Sequence, residues 1–197
     1  MMRVPQPTGI KGSLKWIQNL VNHHSSILDE IIQLNFQIDF PKIAWTSPLD
    51  TDDYAEYRDD TFLAKLGFQK YTKRLYEFWP KGGPQWDALG KSDKDDSIFL
   101  VEAKANIQEL ISTMKAKSDS SISKIRTSLL DTQKFLKCTN PLNWEEGFYQ
   151  YANRIAHLHF FRNLCGINTY LIFIYYAYPV DSGDQDVIED QYDPAIA

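Results

Sequence analysis

The period of the apolar positions changes several times along the chain, and each change marks a predicted element. Leu14, Ile17, Val21, Leu28 and Ile31 recur at helical spacing behind Ser13, which predicts a helix or a helix pair over about 13–36. Pro41 and Pro48 then interrupt the pattern. Residues 50–66, DTDDYAEYRDDTFLAKL, open with acids suited to a helix N-terminus and place Tyr54, Tyr57, Phe62 and Leu66 for burial. Gly67 stops that predicted helix. YTKRLYEFW (71–79) is aromatic and β-prone and ends at Pro80 and the GGP turn, so it reads as a strand. WDALGK and SIFLVEAKA read as two further strands around the polar turn KSDKDD. Beyond them, NIQELISTMKAK (106–117) has Ile107, Leu110, Ile111 and Met114 on one helical face, and Ile122, Ile125, Leu129 and Phe135 predict another helix. GFYQYANRIAHLHFFRNLCG (147–166) is a third helix closed by Gly166, and TYLIFIYYAY (169–178) is the last strand. This order implies an α/β protein with a mixed sheet, in which three antiparallel strands are followed by a fourth that joins through a helical crossover.

Side chains alternate faces along a strand. In SIFLVEAKA, Phe99, Val101, Ala103 and Ala105 make one apolar face suited to packing under a helix, while Ile98, Leu100, Glu102 and Lys104 share the other. That second face becomes charged only at its end, where Lys104 is expected to reach water. A turn centred near Lys94 and Asp95 makes antiparallel partners sum to about 189, which sets Asp87 opposite Glu102.

Composition narrows the class. With 197 residues, 43% hydrophobic and 14% aromatic, the chain can form one domain with its own core. No apolar run approaches the roughly 20 residues that span a bilayer, and MMRVPQPTGIKGS lacks a signal-peptide core, so a cytoplasmic protein without membrane association is expected. Cys138 and Cys165 form no metal-binding or disulfide pattern and read as core thiols. The net charge of −5 is unevenly spread: residues 179–197 carry six acids and no Lys or Arg, whereas residues 65–137 hold 14 basic against 9 acidic side chains. The middle of the chain can therefore meet a polyanion, although ordinary solvated lysines explain the same counts. The acidic tail is expected to lie outside the core and to compete with phosphates for those lysines.

Two neighbouring carboxylates repel unless a cation neutralises them, and hard oxygen ligands suit Mg²⁺ or Mn²⁺. A lysine two residues on can hold a phosphate oxygen or orient an attacking water. Asp87, Glu102 and Lys104 thus form a candidate phosphodiester-cleaving site, with a plain Glu102–Lys104 ion pair as the competing explanation. On the helix over 147–166, Gln150, Asn153, Arg154 and His157 fall three and four residues apart and form one polar stripe.

WD followed by IFLVEAK resembles the PD-(D/E)xK nuclease superfamily, in which an acid on the second core strand and an acid-x-Lys on the third bind divalent metal and activate water. The resemblance covers roughly residues 50–178 and implies a restriction-endonuclease-like αβββαβ core, with 1–49 as a helical decoration and 179–197 as the tail. Trp86 stands where that family often has proline. The resemblance makes Asp87 and Glu102 metal ligands, Lys104 the water-positioning cation, and Gln150 a catalytic neighbour. Arg154 and Asn153 become substrate-binding residues, and Glu56 on the first core helix a further metal carboxylate. YQYANRIAHLHFF is also similar to an uncharacterised bacterial group within the superfamily. The implied partner is nucleic acid, DNA before RNA, and a homodimer is compatible with the fold. A noncatalytic nucleic-acid-binding or assembly protein that keeps the nuclease fold is the alternative. His23 with His24 and His157 with His159 are badly spaced for shared ligation, and Trp79, Trp86 and Trp144 are expected in the core before any role in base stacking.

Overall fold

A computed structural model describes residues 3–37, 42–139 and 143–177. The tail over 179–197, and with it the competition expected of it, lies outside the described residues. In chain order the elements are β1 (Arg3–Val4), α1 (Gly12–His23), α2 (Ser25–Phe36), β2 (Ile43–Ser47), β3 (Glu56–Tyr57) and α3 (Asp59–Leu66). They continue with α4 (Thr72–Phe78), β4 (Ala88–Ser92), β5 (Ile98–Lys104), α5 (Asp119–Phe135), α6 (Tyr149–His159) and β6 (Thr169–Tyr175).

Four strands form a mixed sheet in the order β2-β4-β5-β6, with antiparallel pairing up to β5 and parallel pairing between β5 and β6. The chain is therefore α/β, and α5 and α6 lie between the two parallel strands in sequence. Ala88 pairs with Val101 and Lys91 with Ile98, the register that the polar turn predicts. All seven residues of β5 are buried. Its Phe99, Val101 and Ala103 pack with Ile17 and Val21 of α1 and Leu28 and Ile32 of α2. Ile98 and Leu100, on the opposite face, join Phe62, Trp86, Ala152, Ala156, Phe160 and Phe161. Each face of this central strand thus has its own helical cover.

Several expectations are corrected. The stretch 71–79 is not a strand: a short 3-10 turn, Gln69–Tyr71, leads into α4. Leu75 and Trp79 are four residues apart and only 2% exposed, so the aromatic residues follow a helical stripe despite their β propensity. The first strand of the sheet is instead β2, the short IAWTS between the two prolines. Residues 50–66 do not make one helix. Positive φ angles at Asp53, Tyr54 and Asp59 break the run, and Glu56–Tyr57 pairs with Arg3–Val4 as a small two-stranded sheet. Only α3 remains helical, and Gly67 ends it in the left-handed conformation at φ 81°. The predicted helix over 106–117 shrinks to a 3-10 turn, Ile107–Leu110, capped by Asn106. Beyond it the backbone bonds to the segment before α6, with Ser112 N donating to Gly147 O at 2.6 Å and Met114 N to Glu145 O at 2.8 Å. Cys138 is exposed and Cys165 half-buried, so neither is a core thiol; Cys138 lies just past the end of α5.

Gly90 sits in β4 where β2 comes close. A Cβ there would lie 2.5 Å from Ile43 Cγ2 and 3.1 Å from Trp45 Cε3. Gly90→Ala is therefore expected to cost about 1–3 kcal/mol through overpacking. Urea unfolding should show a lower midpoint at an unchanged m-value; an unchanged midpoint would mean that β2 can move aside.

Candidate functional site

The site begins where β4 and β5 part. Asp87 N still donates to Val101 O at 3.2 Å, but the next contact is made by a side chain, Ala103 N donating to Asp87 Oδ2 at 2.7 Å. One residue earlier, Trp86 N donates to Tyr57 O at 3.2 Å, so the chain leaves β5 for β3. That departure carries Glu56 towards Glu102. Glu56 accepts from the side-chain amides of Gln85 and, at 3.1 Å, Gln6.

Glu102 is 1% exposed and Lys104 6%. The expectation that Lys104 sits at a wet strand end is thus corrected: alternation gives the face of a side chain, and α6 covers that face here. Lys104 Nζ donates to Glu102 Oε1, and Gln150 Nε2 donates to the same oxygen at 2.6 Å. Arg154 Nε donates to Oε2 at 2.8 Å, and Nη2 completes the ion pair at 2.6 Å from the same oxygen. Two members of the polar stripe of α6, Gln150 and Arg154, therefore converge on Glu102. Gln150 is placed by its own backbone N, which donates to Ser112 Oγ at 2.8 Å, so the extended stretch after β5 positions the start of the helix. Arg154 also donates to Gln85 O at 2.7 Å and to Asn153 Oδ1 at 2.8 Å, and its guanidinium lies 4.8 Å from the centre of the Trp86 ring. Asn153 and Arg154 are both buried, with these polar atoms turned into the protein.

Charge explains the rest of the arrangement. Asp87, Glu102 and Glu56 face two cations, Lys104 and Arg154, leaving one negative charge in excess. Burial, with Glu102 and Glu56 as repelling neighbours, raises the Asp87 carboxyl well above its ordinary pKa. Glu56 is raised as well, chiefly by burial. A proton on Asp87 or an added cation removes the excess.

That requirement tests the fit of a divalent ion. A carboxylate offers about four lone-pair positions, and Glu102 already receives three protein hydrogen bonds, with Arg154 Nη2 a further close ionic contact on Oε2. Asp87 Oδ1 and Glu56 Oε1 take none from the described residues. The donor set suits a hard cation at Asp87, with Glu56 beside it, and Glu102 joins only if Lys104 or Gln150 gives up an oxygen. Among the described residues no group of three or more His, Cys, Asp and Glu is gathered as a ready metal cage.

Trp79 and Trp86 are buried, and Trp144 packs partly buried against the same core. Sequence reading missed Gln85 and Gln6. Gln85 immediately precedes the WD pair, which is the one local signal for it, whereas Gln6 is brought to Glu56 only by the β1–β3 pairing. Among the described residues no helix is long and apolar enough to cross a membrane. Comparison with family models, with curated proteins and with solved structures gives no match for this chain.

Proposed function

We propose that the chain is a metal-dependent nuclease that hydrolyses nucleic-acid phosphodiester bonds, with DNA as the substrate, on a sheet of the restriction-endonuclease-like type. The observation that supports this most is the convergence of Asp87, Glu102 and Lys104 with Gln150 at the end of β4 and β5. Asp87, with Glu56 alongside and Glu102 once Lys104 or Gln150 releases its oxygen, would hold Mg²⁺ or Mn²⁺, which when bound supplies Lewis acidity and lowers the pKa of a water. Lys104, whose Nζ lies against Glu102 Oε1, is placed to orient that water or a phosphate oxygen. Gln150 offers a neutral donor at the same oxygen, and Arg154 fixes Glu102 from its other side.

A second reading has its own support. The dense hydrogen bonding and ion pairing of buried Glu102 is also what a purely structural buried ion network looks like, which favours a noncatalytic nucleic-acid-binding or assembly protein. Asp87→Asn separates the two readings. In the nuclease, calorimetric titration shows Mn²⁺ binding to the full chain that this variant loses, and cleavage of plasmid or single-stranded DNA falls to background. The variant should also melt higher than the parent at neutral pH without metal. The parent's Asp87 carboxyl has a raised pKa in the fold, so it costs stability as pH rises through and above the ordinary carboxylate range, and the amide removes that cost. A folded parent that neither binds Mn²⁺ nor cuts DNA or RNA would leave the noncatalytic reading.

A further inference from the structure

The two edges of the four-stranded sheet are finished differently. The β2 edge is short and blunted: its pairing with β4 is bulged between Trp45 and Ser47, and Asp29 caps it by accepting from Ile43 N at 3.1 Å and Trp45 Nε1 at 2.9 Å. Among the described residues the β6 edge has none of these devices. Its seven residues, TYLIFIY, contain no charge, proline or glycine, and the ladder to β5 runs without a break from Thr169 to Tyr175. β6 is the last strand in the sheet order among the described residues.

The direction of its backbone groups follows from two hydrogen bonds. Ile98 N donates to Asn168 O at 2.9 Å and Tyr176 N donates to Lys104 O at 2.8 Å, so the even-numbered residues turn their N–H and C=O towards β5. Leu171 and Phe173 therefore aim theirs away from the sheet. Aromatic side chains border this edge on both faces. On one, Phe36 is 41% exposed and stands 5.2 Å from Tyr170. On the other, Phe148 is 44% exposed and leads through Tyr151 to Phe173.

We propose that β6 docks a second copy of this chain, the two β6 strands pairing antiparallel about a two-fold axis at Ile172 and extending the sheet from four strands to eight. An antiparallel partner must present its own outward groups to these, which requires odd-numbered residues opposite odd-numbered ones. A centre at Ile172 meets that condition, with Leu171 facing Phe173 of the second copy. Every cross-strand pair is then aliphatic, aromatic or threonine, and no like charges oppose one another. A charged partner finds nothing on this strand to recognise, whereas an identical strand matches it in length, pleat and neutrality. At about 3.3 Å per residue the strand is roughly 23 Å long. With its aromatic borders it offers on the order of 600 Å² per copy, the low end for a specific interface, so dimerisation is expected on the order of micromolar concentration.

Sedimentation equilibrium and site-resolved backbone hydrogen exchange on the full chain test this together. As concentration rises through the dimerisation range, the Leu171 and Phe173 amides should become protected, while those of Ile172 and Ile174, bonded to β5, stay protected throughout. Phe173→Pro removes one outward donor and leaves the ladder to β5 intact, so it should stay monomeric with an unchanged far-UV spectrum. The exchange result on the unmodified chain decides the matter even if that variant folds poorly. Protection of Leu171 and Phe173 that is independent of concentration would mean that the chain covers its own edge, and would overturn the proposal. So would a dimer that forms without protecting them, or their continued exposure at the highest concentration.

Discussion

Replacing Glu102 by alanine is expected to lower folding stability by about 3–5 kcal/mol, the range for breaking a buried ion pair from one side. At about 2–4 °C per kcal/mol for a chain of this size, the melting temperature should fall by roughly 10 °C. The loss comes from what is left behind. The side chains of Lys104 and Arg154 are 8% and 4% exposed, and both point at the carboxylate that would vanish. The flexible Lys104 stem can bend towards solvent, but Arg154 is held in place by Gln85 O and Asn153. Most of the cost therefore belongs to Arg154. Adding Arg154→Met to Glu102→Ala should recover much of it, because the stranded cation goes with its partner. Denaturant unfolding of the two variants checks this, and a Glu102→Ala cost below about 1 kcal/mol would show that water reaches the network. For activity the consequence is direct: a dead Glu102 variant says little about chemistry until its fold is measured. Asp87, whose removal is expected to stabilise, is the cleaner reporter.

The sequence disclosed the centre of this network better than its surroundings. The hairpin of β4 and β5 was legible because alternation and a polar turn are local signals, and together they fix the pairing of Ala88 with Val101. The stripe on α6 was legible for the same reason, through spacings of three and four. What covers a face is not local. Nothing near Lys104 in sequence says that Gln150 and Arg154 will close over it, so its burial could not be read from the strand. β2 escaped because five residues between prolines carry little periodicity, and their strand character depends on β4, more than 40 positions away. Glu56 was placed on a helix because the acids around it suit a helix start. Three left-handed residues and a pairing with the chain's first residues put it on a strand instead.

His157 should make the protein lose stability in acid. The residue is 1% exposed, with the Trp79 ring at 5.0 Å and the Trp86 ring at 6.1 Å between centroids. Nδ1–H donates to Asn153 O at 2.8 Å, which fixes the neutral tautomer because a carbonyl can only accept. Burial, helped by the nearby Arg154 charge, pushes the imidazole down from 6.5 to about 3. The sign follows by linkage. With the folded pKa depressed, the contribution is fully present above about pH 6.5 and is lost as pH falls towards 3, because the unfolded chain takes up the proton first. The slope is about 1.4 kcal/mol per pH unit, and the whole contribution is about 5 kcal/mol. Asp87 and Glu56 work in the opposite direction, since their raised pKa values make stability fall as pH rises. The parent's profile alone is thus a compromise, and the comparison has to be with His157→Phe, which keeps an aromatic ring in the pocket and cannot titrate. Guanidinium unfolding at steps from pH 7.5 to 4.5 should show the parent losing stability relative to the variant by about 2–3 kcal/mol, most of it below pH 6.5. Parallel profiles would mean that His157 takes up its proton within the fold, and the description of a sealed neutral ring would be wrong.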